Sequence, residues 1–259
     1  MKDILEDIIA HKRIEVEQQK RCVSMQQLVQ NCNNDYTVIS MSDVLRKSDS
    51  GIIAEFKRRS PSKGWINAEA DSSIIPSGYE KSGATAVSIL TDERFFGGTL
   101  KDIKNARPSI SLPILRKDFI IDEYQIYQAR IVGANAILLI ASALSVKECS
   151  ALAAKAHELQ LEVLLEIHSE KEIDYIDDNI NMVGVNNRNL GTFHTDVQNS
   201  FVLAQKLPSD MIKVSESGIS DTSVVKELRK VGYRGFLIGE NFMKSANPDK
   251  ELNKFILQL

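Results

Sequence analysis

Short apolar runs rich in β-branched residues recur along the chain, beginning near Gly51 (GIIAEFK), Thr85 (TAVSIL), Leu112 (LPIL), Ala136 (AILLI), Leu161 (LEVLLEI), Met182 (MVGVN), Met211 (MIKVSES) and Gly235 (GFLIG). Their length and composition predict strands. Between them lie segments with helical periodicity, clearest over residues 122–132, 146–159, 197–207 and 220–231. Aspartate or serine stands at several of their starts, where a side-chain oxygen accepts from a free backbone N–H. Gly133 and Gly232 follow the last turn of two of them, where a left-handed residue ends a helix. The runs lie about one βα unit apart. Eight strands alternating with helices imply an α/β fold with a parallel sheet. The count of eight, with no GxGxxG turn after the first strand, favours a closed (β/α)8 TIM barrel over an open doubly wound sheet.

Residues 1–50 stand outside this repeat. Ile4, Leu5, Ile8 and Ile9 have helical spacing, the segment turns polar up to about Lys20, and a second short helix is expected over residues 42–47. The expected organisation is one barrel domain over residues 1–259, with residues 1–50 as a helical extension packed on the barrel.

Composition narrows the function classes. Hydrophobic residues make up 43% and charged residues 26% of the 259, which argues for a folded domain rather than disorder. A net charge of -3 argues against a nucleic-acid or membrane-surface binder, so any positive field must be local. Cys22, Cys32 and Cys149 form no CxxC pair and are expected as free thiols in a reducing compartment. The charged N-terminus lacks a signal-peptide stretch and no apolar run reaches membrane-spanning length, so a cytoplasmic location is expected. His11, His157, His168 and His194 are scattered and are expected at the surface or at helix caps rather than on a metal.

Barrel chemistry sits at the C-terminal ends of the strands. Glu55 and Lys57 end the first strand two residues apart, hence on one face, and crown the inward row if Ile53 is interior. Lys117 ends the third strand and Glu166 the fifth. Asn186 and Arg188 end the sixth, and Glu216 and Ser217 the seventh. Acids, amides and cations thus converge on one rim. A divided anion site is expected from the loop 60–64 (SPSKG), from Ser217 and Gly218, and from Gly239 and Glu240, where small residues admit backbone N–H groups to a phosphate and a helix start adds its dipole. Phe95, Phe96 and Phe119 either wall a pocket for a flat aromatic substrate or anchor loops on the rim.

At these residues the chain closely resembles the indole-3-glycerol phosphate synthase family. The matching strings are residues 53–64 (IAEFKRRSPSKG), 95–98 (FFGG), 112–120 (LPILRKDFI), 164–168 (LLEIH), 183–190 (VGVNNRNL), 215–219 (SESGI) and 237–243 (LIGENFM), in family order from about Ile4 to the C-terminus. The resemblance implies a phosphorylated aromatic substrate, 1-(2-carboxyphenylamino)-1-deoxyribulose 5-phosphate, converted to indole-3-glycerol phosphate, carbon dioxide and water in tryptophan biosynthesis. It implies no metal or organic cofactor, no nucleic-acid or membrane partner, and often a monomer. By the same resemblance Lys117 is the general acid, and Lys57 holds the substrate carboxylate. Glu166 is base or acid in the dehydration, and Glu55 orients Lys57. Asn186 and Arg188 line the pocket, and Glu216 meets sugar hydroxyls. Ser60, Ser217, Gly218, Gly239 and Glu240 bind phosphate; Phe96, Phe119 and Leu190 form the apolar wall.

Two departures stand out. Trp65 follows the SPSKG loop where the family usually has a smaller aliphatic residue, placing a candidate cap at the pocket mouth. Asn241 and Phe242 replace a small residue and leucine. Rival readings are weaker. A phosphoribosylanthranilate isomerase needs a Cys/Asp pair at strand ends, a metal-dependent epimerase needs clustered ligands, and an inert binding barrel has no need of the Glu55/Lys57/Lys117/Glu166 set.

Overall fold

The computed structural model describes residues 4–32, 39–189, 191 and 193–259. Eight parallel strands close into a barrel: β1 (Ile52–Phe56), β2 (Ala86–Leu90), β3 (Ile114–Lys117), β4 (Ala136–Ile140), β5 (Glu162–Ile167), β6 (Met182–Asn186), β7 (Ile212–Glu216) and β8 (Tyr233–Ile238). Sequential strands pair with each other, and β8 pairs back onto β1 through Ile52↔Phe236. The α/β barrel predicted from the alternating pattern is therefore the observed fold.

The boundaries moved where backbone chemistry required it. β3 starts at Ile114 rather than Leu112, because Pro113 has no N–H to give a ladder. β8 starts at Tyr233, two residues early, and absorbs the difference in a register shift against β7 between Tyr233 and Gly235. The helix Glu123–Val132 begins at a capping box made by Asp122 and Gln125 and ends at Gly133 with φ of 91°. Ser145 and Glu148 make the same box for Val146–Glu158. The two later helices are shorter than their periodicity, Gln198–Ala204 and Thr222–Lys230, the second capped by Asp221.

The inward residues form stacked layers, as in barrels generally. Ile53, Leu115, Leu164 and Val214 from the odd strands belong to one buried interior cluster. Toward the N-terminal end the interior narrows to small residues, Ala86, Ala136 and Gly235. The space is filled from outside the barrel. Residues 1–50 contain α1 (Ile4–Cys22), α2 (Met25–Asn31) and α3 (Met41–Lys47). On α3, Met41 and Leu45 are fully buried in the interior cluster. Glu162 of β5 fixes α3 in place by accepting from Met41 N (2.6 Å), Ser42 N (2.9 Å), Ser40 Oγ (2.6 Å) and Ser42 Oγ (2.7 Å).

The other helices of the extension run along the barrel flank. α2 packs on Glu123–Val132, and Val16 and Leu28 meet Tyr124, whose hydroxyl donates to Gln19 O (3.1 Å) and Val23 O (2.9 Å). The amino end of α1 reaches the opposite end of the barrel, where Leu5 and Ile8 look into the central opening. One extension thus plugs the floor and roofs the mouth.

Candidate active site

The four odd strands each place one ionisable side chain above the apolar layer: Glu55 from β1, Lys117 from β3, Glu166 from β5 and Glu216 from β7. This is the top layer that alternate strands of a barrel supply. Lys117 is its centre, with Nζ 2.9 Å from Glu166 Oε2 and 3.1 Å from Glu216 Oε2. Lys57, one inward step beyond Glu55, closes on it at 2.6 Å. Asn186 Nδ2 donates to the other oxygen of Glu166 at 3.0 Å.

Two glycines make room for these carboxylates. A Cβ at Gly184 would sit 2.1 Å from Glu216 Oε1, and one at Gly239 would sit 2.2 Å from Glu55 Oε1. Gly239 therefore has a steric task in addition to any contact its N–H makes.

Charge is distributed unevenly in this largely buried layer. Burial alone would lower the Lys117 pKa, but Glu166, Glu216 and Glu55 outweigh it and hold the ammonium protonated, with its pKa above the usual lysine range. Burial pushes the Glu166 carboxyl up, yet Lys117, His168 and the hydrogen bond from Asn186 prevail and bring it down to about 2. For Glu216 burial prevails. Lys117 opposes it, Glu166 and Glu55 add to it, and the carboxyl is pushed up to about 7. The two glutamates share one lysine and are driven apart, which gives one group ionised across the working range and one poised near neutrality.

These groups line a cavity of about 300 Å³. Glu55, Lys57, Lys117, Glu166, Asn186 and Glu216 meet there with Ser60, Phe96, Phe119, Arg188, Ser217, Gly218, Gly239 and Glu240. The catalytic and binding residues implied by the resemblance all reach it except Leu190, which lies outside the described residues; Phe95, named beside Phe96 as a possible wall, does not line it and packs against His11 instead. Phe96 and Phe119 form one wall, with ring centroids 5.9 Å apart and planes tilted by 35°. Arg188 spans the mouth, donating to Ser62 Oγ at 2.8 Å and standing 3.8 Å from Glu240 Oε2. Ser217 and Gly218 both have left-handed backbone, φ 66° and 76°. For a serine this conformation is costly, as is common where a loop is shaped for a ligand. Ser60 Oγ and Glu216 Oε1 are buried without a hydrogen-bond partner among the described residues.

Three features differ from the sequence reading. His168 is neither a surface residue nor a helix cap: its Nε2 lies 3.4 Å from Glu166 Oε1. Strand parity was the signal, because residues 166 and 168 share a face. Trp65 does not line the cavity. It is 58% exposed and stacks under the Arg59 guanidinium. Ile4, Leu5 and Ile8 of α1 line the cavity, and their apolar spacing had shown a buried face without showing where it docks. Among the described residues no His, Cys, Asp and Glu group has metal-ligand geometry, and no helix is long and apolar enough to cross a membrane.

Solved structures share this architecture. The tryptophan synthase α subunit of Legionella pneumophila matches with a TM-score of 0.62 at 14% identity, over 84% of this chain and 96% of that one. The 3-hexulose-6-phosphate synthase of Salmonella typhimurium gives 0.60 at 12%, over 80% and 99%. At such identities the likeness is one of fold. Sequence is more specific. The indole-3-glycerol phosphate synthase of Bacteroides thetaiotaomicron is 62% identical over 99% of this chain and 98% of its own length. That of Polaromonas is 40% identical over 96% of each. The family model for indole-3-glycerol phosphate synthase matches residues 5–255, and the chain belongs to that family.

Proposed function

We propose that the barrel mouth closes the indole ring with Lys117 as general acid, and that barrel and extension act as one unit in doing so. The activity is that of a carboxy-lyase in tryptophan biosynthesis, turning 1-(2-carboxyphenylamino)-1-deoxyribulose 5-phosphate into indole-3-glycerol phosphate. A ring carbon attacks the substrate ketone, a new C–C bond forms, and the ketone oxygen takes a proton. Loss of carbon dioxide returns its bonding pair to the ring, and loss of water completes the indole.

The attacking ring is a weak nucleophile, so the carbonyl must be strongly polarised. A desolvated ammonium does this better than a neutral donor. Lys57 is placed to hold the departing carboxylate, with Glu55 limiting how tightly it does so. An apolar wall of Phe96 and Phe119 beside it favours the neutral product over the anion. In the dehydration the Lys57 ammonium, freed of the departed carboxylate, protonates the hydroxyl, which leaves as water, while Glu166, kept ionised, takes the proton from the ring carbon beside the nitrogen. Asn186 orients Glu166. Glu216 and Ser60, each with a buried oxygen that has no partner among the described residues, are suited to a sugar hydroxyl and to the phosphate. Ser217, Gly218, Gly239 and Glu240 complete the phosphate end, with Arg188 across it. The cytoplasm suits such an enzyme, and nothing in this scheme needs a second subunit.

The observation that carries the proposal is the single Lys117 ammonium held between Glu166 and Glu216 at the cavity floor. Replacing Lys117 by alanine is expected to lower kcat by about 10²- to 10⁴-fold. Indole fluorescence follows turnover, and titration with a non-reacting substrate analogue should show a much smaller change in affinity. Undiminished turnover would remove Lys117 from this role.

A further inference from the structure

Lys12 lies on α1 in a stretch whose alternation of charges reads as a solvated helix face, yet it is fully buried. Its ammonium meets Glu15 at 2.8 Å, Asp92 at 2.9 Å and Asp118 at 3.0 Å. The last two are also wholly buried, and each joins Lys12 to the backbone of an aromatic turn. Asp118 Oδ1, the oxygen facing Lys12, accepts from Phe119 N at 2.8 Å. Asp92 turns Oδ2 to Lys12 while Oδ1 accepts from Phe95 N at 2.8 Å and so caps the turn Glu93–Phe96. His11, next to Lys12, packs edge-on against Phe95 with centroids 5.9 Å apart. One cation on the extension is therefore tied through two carboxylate bridges, one through a single oxygen and one across both, to the loops after β2 and β3, the loops that carry Phe96 and Phe119.

We infer that Lys12 is a positioning residue that sets the spacing of Phe96 and Phe119 and thereby the lie of the substrate's aminobenzoate ring. The inference rests on the reading of those two side chains as the aromatic wall. Lys117 itself is held otherwise: it pairs with Leu90 in the barrel ladder, and its carbonyl accepts from Thr91 N at 3.1 Å. Past the strand end Thr91 Oγ1 (2.6 Å) and Arg116 Nη2 (2.8 Å) hold the other oxygen of Asp118, and Lys12 adds the tie that joins Asp118 and Asp92 to the extension. The ring subsite should therefore depend on Lys12 more than the proton-transfer centre or the distant phosphate end does.

Lys12→Met in the full chain tests this. KM for the carboxyphenylamino substrate is expected to rise about tenfold, equivalent to about 1.4 kcal/mol, while kcat falls less than about threefold and inhibition by inorganic phosphate is unchanged. In a Phe119→Ala background the same change should raise KM by less than about twofold, because coupled residues are not additive. If phosphate inhibition weakens in step with KM, or the two changes multiply, Lys12 is only a general clamp and the inference is overturned. Phe119→Ala with unchanged KM would instead overturn the aromatic wall, and with it the inference. A raised KM there beside an unchanged KM in Lys12→Met sinks the inference alone. Should Lys12→Met not fold, Asp92→Asn releases one arm only. It should show the same split of KM from kcat in milder form, and an unchanged KM would again overturn the inference.

Discussion

Glu162 and Glu166 stand four residues apart on β5, on the same inward face, at opposite ends of the barrel. At the floor, Glu162 receives four hydrogen bonds from the first turn of α3, two from backbone and two from serine hydroxyls. It lies at a helix start, where negative charge is favoured. At the mouth, Glu166 shares a desolvated layer with Glu216 and Glu55, around one lysine. The same residue type is satisfied at one end and held in competition at the other. Fully satisfied charge fixes structure; charge that competes for a partner can be redistributed when substrate arrives. The barrel thus separates stability from chemistry along a single strand.

The contrast is sharpest under matched substitution. Glu166→Gln is expected to lower kcat by about 10²- to 10⁴-fold. The unfolding midpoint should move little, because Glu216 ionises in its place and keeps Lys117 paired. Kinetics by product fluorescence and calorimetry on one preparation settle both halves. A large loss of stability with normal turnover would reverse the assignment of the two ends.

The floor answers through stability. Leu45→Ala opens a cavity among Met41, Leu45 and the small residues of the lowest layer, and is expected to cost about 2–5 kcal/mol. Glu162→Gln weakens charge-assisted hydrogen bonds to α3 and is expected to cost about 1–3 kcal/mol. Each kcal/mol lowers the midpoint by about 2–4 °C at this chain length. Both variants should retain normal kcat and KM below the transition. Denaturant titration beside steady-state kinetics checks this, and an altered kcat in either would show that the plug reaches the chemistry.

How much of this was legible follows the same division. Glu55, Lys57, Lys117, Glu166, Asn186 and Glu216 could be named from sequence because strand parity and strand-end position are local properties of the chain. The eight-unit count was equally local. What could not be read depends on contacts between distant segments. Lys12 looks like an exposed helix charge until Asp92 and Asp118 fold against it. The apolar face of Ile4, Leu5 and Ile8 announces burial without naming the mouth as its destination. Met41 and Leu45 promise a packed helix, but only the smallness of Ala86, Ala136 and Gly235 shows that the helix enters the barrel. His168 is the instructive exception, because the parity that found Glu166 also places it on that face.

The smallest expected effect concerns how the mouth alone responds to pH. The Glu216 carboxyl is pushed up to about 7 in the fold, from 4.5 in a solvated glutamate, chiefly by burial. Between those values the folded chain holds a proton that the unfolded chain has released. By linkage, stability then falls as pH rises through this window, and the favourable contribution present below pH 4.5 is gone above about 7. Glu216→Gln keeps the shape and removes the titration. The wild-type midpoint should therefore drop between pH 5 and pH 8 by more than that of the variant, and the difference should lie in the slope rather than in the pH 5 value. Glu162→Gln, altering a carboxylate at the satisfied end, should leave the slope in that window as it is in the wild type. Parallel slopes for wild type and Glu216→Gln would mean that the mouth is as settled electrostatically as the floor.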